Sequence, residues 1–185
     1  MGKIFLWFYC LPIPQALLIL ALATAVFLLL RERFRDLPNL KPGIAIVLLC
    51  WMAVILMGTL GQRTEGGNLS EPIVLPFQSY LAVLRGGTRE LLRTNFMNVV
   101  LFYPAGLLAG TLLSPRRKSI RYPVLIACGF ALLSIGIEYT QYRFGLGLAE
   151  TDDVIHNALG SLLGLLACRI PVHPLASLLH RISKQ

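Results

Sequence analysis

The stretch at residues 43–60, GIAIVLLCWMAVILMGTL, contains no charged side chain. A helix needs roughly 20 predominantly apolar residues to cross the hydrocarbon core of a bilayer. The stretch also lacks the alternation of apolar and polar residues that is typical of a barrel strand. It therefore predicts a membrane-spanning α-helix, because only helices and closed barrels satisfy their backbone polar groups in lipid.

Four further apolar blocks lie on either side of this stretch, at residues 4–30 or 14–30, 95–113, 123–141 and 154–170. Hydrophobic residues form 56% of the chain and charged residues 14%, with a mean hydropathy of +0.69, which is too apolar for a soluble protein. We therefore expect an all-α, polytopic membrane helix bundle with about five transmembrane helices. The whole chain, residues 1–185, is expected to form a single membrane domain.

The net charge of +8 comes from basic residues beside the apolar blocks, so no nucleic-acid partner is expected. With five spans, one side receives Arg31, Arg33, Arg35, Lys41, Arg116, Arg117, Lys118, Arg121, Arg169, Arg181 and Lys184. Basic residues favour the cytoplasmic side. The pattern predicts an integral cytoplasmic (inner or plasma) membrane protein with its N-terminus outside and its C-terminus inside. The first block resembles a secretory signal in part, but we expect it to remain as an uncleaved helix.

The long connection at residues 61–94 is expected to lie outside the membrane. Its apolar part, residues 73–84, predicts a short helix that is either re-entrant or lies at the outer interface. Three arginines follow at turn spacing: Arg85, Arg89 and Arg93. If they are helical, they form one basic face that either binds a phosphate head group or anchors the chain at the interface.

Polar side chains cluster at the predicted outer ends of the last three blocks, where their burial in lipid is costly. The third block carries Asn98, the fourth carries Glu138 and Gln141, and the fifth begins with Asp152, Asp153, His156 and Asn157. Gly106 and Gly110, like Gly160 and Gly164, fit the spacing that lets helices approach closely in lipid. Tight packing would bring Asn98, Glu138, Gln141, Asp153 and Asn157 into one outward-facing pocket.

Two interpretations of this cluster stay open. The polar groups either hydrogen-bond one another between helices or form a functional site, which the carboxylates favour because packing alone does not need charge. Such a site would attract a proton, a cation or a cationic head group. Burial could also tune Glu138 as a general acid or base, with Asp153 as a second catalytic candidate. The chain shows no dense group of His and Cys ligands, so no metal and no cofactor are expected.

Several motifs resemble those of the VanZ-like family of membrane proteins. NVVLFYPAG at residues 98–106 is similar to the family's N-x-x-x-F-x-P-x-G, and IEYTQ at 137–141 matches its E-x-x-Q. DDVIHNALGSLLG at 152–164 and the L-P-F at 75–77 complete the resemblance, which covers about residues 51–167. The matching positions are Pro76, Phe77, Asn98, Phe102, Pro104, Gly106, Glu138, Gln141, Asp153, Asn157 and Gly160. Ile73, Glu150 and Gly147 depart from the expected Asn, Asp and Arg.

The resemblance implies a membrane protein of the cell envelope, and the family's namesake is linked to low-level resistance to the glycopeptide teicoplanin. Some members are labelled phosphotransbutyrylases, but this chain has no evident element for binding nucleotide or coenzyme A. Our leading hypothesis is binding of a membrane lipid, a lipid-linked envelope precursor or a glycopeptide, with possible roles in glycopeptide or lipopeptide resistance. The alternatives are an intramembrane hydrolase or transferase acting on lipid head groups, and a proton- or cation-coupled transporter. The oligomeric state stays open.

Overall fold

A computed structural model describes residues 11–34, 36–60, 72–113, 121–146 and 148–171. Its helices are α1 (Ile13–Arg33), α2 (Leu40–Thr59), α3 (Gln78–Leu84), α4 (Glu90–Leu113), α5 (Arg121–Phe144) and α6 (Thr151–Ala167). Among these described residues, the β-structure consists of one isolated bridge between Ile73 and Glu150. The predicted all-helical bundle is therefore confirmed.

Four of the helices, α1, α2, α4 and α5, are long and apolar enough to cross a membrane. The fifth predicted span corresponds to α6, whose 17 residues would extend about 25 Å. This length is at the lower limit for crossing a hydrocarbon core. The count of five transmembrane helices therefore stays a prediction. The alternative start of the first span at Ile4 lies outside the described residues, and α1 begins beside Pro12 and Pro14, where a missing N–H costs little.

The distribution of buried side chains identifies α4 as the central helix. In its most apolar window 61% of the residues are buried, against 11% for α2 and 17% for α1. Large apolar side chains on the peripheral helices instead point outward, as Leu49 does with 69% of its surface exposed. Lipid can cover such apolar surfaces, whereas their exposure to water would be unfavourable in free energy.

Helices α4 and α6 run in the same direction and make the most extensive helix contact. A Cβ atom added to Gly160 would overlap the carbonyl oxygen of Val99, and one added to Gly164 would overlap that of Tyr103. At these contacts the residue numbers increase along both helices together, so α4 and α6 are parallel. Such close backbone approach also allows Cα–H···O contacts and dense packing, the main attractive forces between helices in lipid.

Helix α5 runs against α6. The amide of Asn157 donates to the hydroxyl of Ser134, and the backbone N–H of Glu150 donates to the carboxylate of Glu138. Lower-numbered residues at the α6 side therefore contact higher-numbered residues of α5, so the two helices are antiparallel. This orientation places the end of α5 beside the beginning of α6.

The two ends of the bundle differ in chemistry. One end, called the polar end below, contains Leu11, Thr59, Glu90, Gln141 and Asp152. The other end carries Arg31, Arg33, Lys41, Arg121 and Arg169. At the second end Arg31 donates a hydrogen bond of 2.6 Å to the carbonyl of Cys168, where a cation satisfies the C-terminus of α6.

Helix α2 packs against α4 near a proline. Pro104 lies inside α4 and cannot donate to the carbonyl of Val100. The indole of Trp51 donates at 2.9 Å to the adjacent carbonyl, that of Leu101, so a side chain supplies a hydrogen bond close to the interruption. Beside it, Phe102 is fully buried and contacts the edge of Phe130 from α5. One buried apolar cluster therefore lies between α2, α4 and α5.

The contact between α4 and α6 predicts that Gly106 tolerates no side chain. In Gly106→Ala the new methyl group would overlap the backbone of Ser161, which cannot move without shifting α6. We expect a loss of about 3 kcal/mol of stability, at the upper end for overpacking. The matched control is Gly129→Ala, where nothing lies within 4 Å of the added atom. Equal thermal stability of the two purified variants in detergent would contradict the prediction.

Candidate functional site at the polar end

Asp152 attaches the short helix α3 to the beginning of α6. One carboxylate oxygen accepts from the backbone N–H of Phe77. The other accepts from the N–H of Ser79 at 2.9 Å and from its hydroxyl at 2.6 Å. These amides belong to the first turn of α3, whose N–H groups have no partner within the helix. Asp152 therefore caps α3 from a distant part of the chain.

This cap holds an uncommon backbone conformation and an ionised carboxylate. Phe77 has a φ of 63°, a left-handed conformation that costs a bulky residue roughly 1–2 kcal/mol. Asp152 precedes the apolar part of α6. Burial raises the pKa of this carboxyl group, but hydrogen bonds from Ser79 and Phe77 lower it below the ordinary value. The charged form of Asp152 and the docked form of α3 thus stabilise each other.

His156 makes a second connection between α6 and α3. Its Nδ1 contacts the backbone carbonyl of Asp152, which can only accept a hydrogen bond. A neutral imidazole with its proton on Nδ1 can then accept from the hydroxyl of Tyr80 through Nε2, at 2.7 Å. The two rings also stack, with centroids 5.8 Å apart. Nε2 of His156 therefore holds α3, while Nδ1 is used within α6.

The chain before α3 is joined to the turn before α6. The N–H of Ile73 donates to the carbonyl of Ala149 at 2.9 Å, and the N–H of Thr151 donates to the carbonyl of Ile73 at 3.0 Å. The hydroxyl of Thr151 donates to the carbonyls of Ile73 and Val74. The outer segment is thus fixed by backbone pairing as well as by Asp152.

Glu138 and Gln141 hold the backbone around the end of α5. Glu138 is buried, and its carboxylate accepts the N–H of Glu150 at 3.0 Å. Gln141 donates through its side chain to the carbonyl of Thr59 at the end of α2, at 3.1 Å. These contacts give the E-x-x-Q residues a direct role in connecting three elements of the polar end.

Asn98 and Asp153 form the contact between α4 and α6 at this end. The Asn98 amide donates to the Asp153 carboxylate at 2.7 Å. One turn further along α6, Asn157 donates to Ser134 at 2.8 Å, but its Oδ1 has no hydrogen-bond partner among the described residues. Asn95, one turn before Asn98, likewise has a buried Nδ2 without a described partner. Both amides are only 3% exposed, so these unpaired atoms are costly unless something else binds them.

The three predicted arginines do not share one helix. Arg85 follows α3, Gly86 turns the chain with a φ of 93°, and Arg89 precedes α4. Both arginines are exposed. Arg93, inside α4, points elsewhere and donates to the carbonyl of Leu11 at 3.1 Å. A single basic face is therefore wrong, because the two glycines after Arg85 end the helix.

The structure thus brings most of the candidate polar residues to one end of the bundle. Glu138, Asp153, Asn98, Gln141, Asp152, His156 and Asn157 all lie there, and Phe102, Pro104, Gly106, Gly110, Gly160 and Gly164 belong to the packed helices behind them. Pro76 precedes the α3 turn. Ser79 and Tyr80 are not among the predicted site residues, because neither forms a motif and their partners are more than 70 positions away. Among the described residues, no group of three His, Cys, Asp or Glu side chains could hold a metal ion.

The cap predicts different effects for the two neighbouring aspartates. Asp152→Asn replaces an acceptor with an NH₂ group that would face backbone or hydroxyl donors, so α3 should lose about 1–3 kcal/mol of docking stability. Hydrogen–deuterium exchange should then become faster at the amides of Phe77 and Ser79. The matched control, Asp153→Asn, should leave these amides protected because Asp153 contacts Asn98 instead. Unchanged protection in Asp152→Asn would contradict the assignment.

Comparison with known proteins agrees with the motifs found in the sequence. A family model described as VanZ/LLP1 matches residues 44–172, which is well over half of the chain. No curated protein and no solved structure matches the chain. The matched range begins within α2 and includes α3 to α6 together with the contacts of the polar end described above, apart from that of Arg93 with Leu11. The chain therefore belongs to the VanZ/LLP1 family of proteins.

Proposed function

We propose that this membrane protein binds the head group of an envelope lipid or of a lipid-linked precursor at the polar end of the bundle. The site would lie between α4, α5 and α6. Its lining would be Asn98 and Asp153 in the centre, with Glu138 and Asn157 beside them. Asn95 would lie at its outer edge.

The unpaired amide atoms of Asn95 and Asn157 carry this proposal. They lie on either side of the Asn98–Asp153 pair, one turn before Asn98 and one turn after Asp153. An isolated hydrogen-bond donor or acceptor has no packing benefit that would offset its desolvation. A polar ligand that offers one acceptor and one donor would satisfy both amides.

The charges of the site favour a ligand rich in hydrogen-bond donors. Glu138 is a buried carboxylate and Asp153 a partly buried one, and carboxylates shielded from water attract ammonium, amide and hydroxyl groups. Sugars, peptides and amino groups of lipid-linked precursors supply such donors. The ligand's chain would remain in the bilayer beside the apolar helices, which keeps the head group at the level of the polar end.

The orientation of the chain belongs to the same proposal. Arg31, Lys41, Arg121 and Arg169 all lie at the end opposite the site, and such residues favour the cytoplasmic side. The polar end would then face outward from the cytoplasmic membrane. An outward site that binds an envelope precursor could protect it from glycopeptides of the teicoplanin type or from lipopeptides.

The observed contacts give less support to an intramembrane hydrolase or transferase. Glu138 accepts from a backbone N–H, and His156 uses one ring nitrogen within α6 and the other to hold α3. These contacts account for the burial of both side chains without any reaction. Catalysis by Glu138 would predict turnover of a lipid by the purified protein.

A specific lipid should stay bound to the purified protein, and its retention should depend on the carboxylates of Glu138 and Asp153. Native mass spectrometry of the protein, released gently from membranes, should detect an envelope lipid bound at a ratio near one. Glu138→Gln and Asp153→Asn should each weaken its retention about tenfold, as expected for losing a charged hydrogen bond of roughly 1.5–3 kcal/mol. Tyr139→Phe is the matched control, since Tyr139 is adjacent in sequence but 65% exposed on the outer side of α5.

Two outcomes would contradict the proposal. Equal and nonspecific lipid retention in all variants would indicate that the polar residues only connect the helices. Normal glycopeptide and lipopeptide susceptibility of cells, both with and without the gene, would remove the resistance role but not the lipid site.

A further inference from the structure

The segment of residues 72–89, called the α3 segment, has two chemically different sides. Its polar side faces the bundle, where Ser79 binds Asp152 and Tyr80 binds His156. Ser79 is only 4% exposed. The side chains of Ser79 and Tyr80 therefore hold the segment to α6.

The other side of the α3 segment is apolar and uncovered. Leu84 is 83% exposed, Val74 71%, Leu75 65% and Phe77 54%. The left-handed backbone at Phe77 turns the chain into α3 while its aromatic ring stays on the outside. Four large apolar side chains so close together on a surface mark a contact with lipid or with a partner.

The charge of the segment is entirely positive. Arg85 and Arg89 are the only ionisable side chains of Asp, Glu, Lys or Arg type in residues 72–89, and both are exposed. They follow directly after the exposed Leu84. An apolar surface bordered by basic residues is typical of segments that lie in a membrane interface and contact anionic lipids.

The position of the segment agrees with this chemistry. It packs against the polar end, beside the beginnings of α4 and α6. Spanning helices there pass from apolar to polar residues, so the boundary between acyl chains and head groups lies at the same level. The uncovered side chains of the α3 segment are therefore next to the bilayer surface.

We infer that the α3 segment is a lipid-binding surface that inserts Val74, Leu75, Phe77 and Leu84 among the acyl chains. Arg85 and Arg89 then contact the phosphates of anionic lipids in the same leaflet. This surface is separate from the head-group pocket and does not depend on the proposed function. Its occupant is the bilayer itself, because an apolar surface at this level meets lipid without any added partner.

The basic part is tested with the full chain in nanodiscs of phosphatidylcholine, with or without phosphatidylglycerol. The preference for phosphatidylglycerol around the wild-type protein, measured by lipid release and mass spectrometry, should fall about fivefold for each of Arg85→Gln and Arg89→Gln. Arg143→Gln is the matched control, because Arg143 is exposed near the same end but lies on α5. Equal loss in all three variants would overturn specific contact by the α3 segment.

The apolar part is tested by fluorescence in the same nanodiscs. The wild-type fluorescence spectrum is subtracted from that of the Leu84→Trp variant. The remaining indole emission should lie at short wavelength and be quenched by lipids brominated on the acyl chains. Thr88→Trp, in the exposed turn after Gly87, should be quenched less. Emission typical of a water-exposed indole from Leu84→Trp would overturn insertion. If the indole were shielded from water only after a soluble protein was added, the surface would belong to a protein partner instead.

Discussion

The close contact between the backbones of α4 and α6 is the constraint on which the rest of the structure depends. Gly106, Gly160 and Gly164 lie where any side chain would overlap a carbonyl of the facing helix. Because the two helices are parallel, this contact also brings both N-terminal ends to the same level. Asn98 can then reach Asp153, and α2 and α5 pack around a fixed pair.

Adjacent carboxylates at the polar end have different tasks because they leave the helix in different directions. Asp152 is taken up by the first turn of α3, while Asp153 faces α4 and contacts Asn98. Glu138 binds the turn that leads into α6. Much of the charge therefore stabilises the end of the bundle, and Nδ2 of Asn95 and Oδ1 of Asn157 are the two amide atoms that the proposed ligand would satisfy.

The α3 segment connects this polar end with the surrounding bilayer. Asp152 and His156 hold one side of the segment, and the other side exposes large apolar residues beside two arginines. Asp152 therefore acts on the α3 segment, while Asp153 beside it acts within the bundle.

The all-helical membrane character can be predicted from the amino-acid sequence, because the length and apolarity of the blocks match the thickness of the bilayer. The glycine spacing and most polar residues at the polar end can be predicted as well, since helical periodicity places residues three or four positions apart on one face. The folded structure was needed to show that Asp152 caps α3, that Ser79 and Tyr80 belong to the polar end, and that Arg93 separates from Arg85 and Arg89. Those contacts join positions far apart in sequence or depend on a turn at Gly86, and no local pattern encodes either.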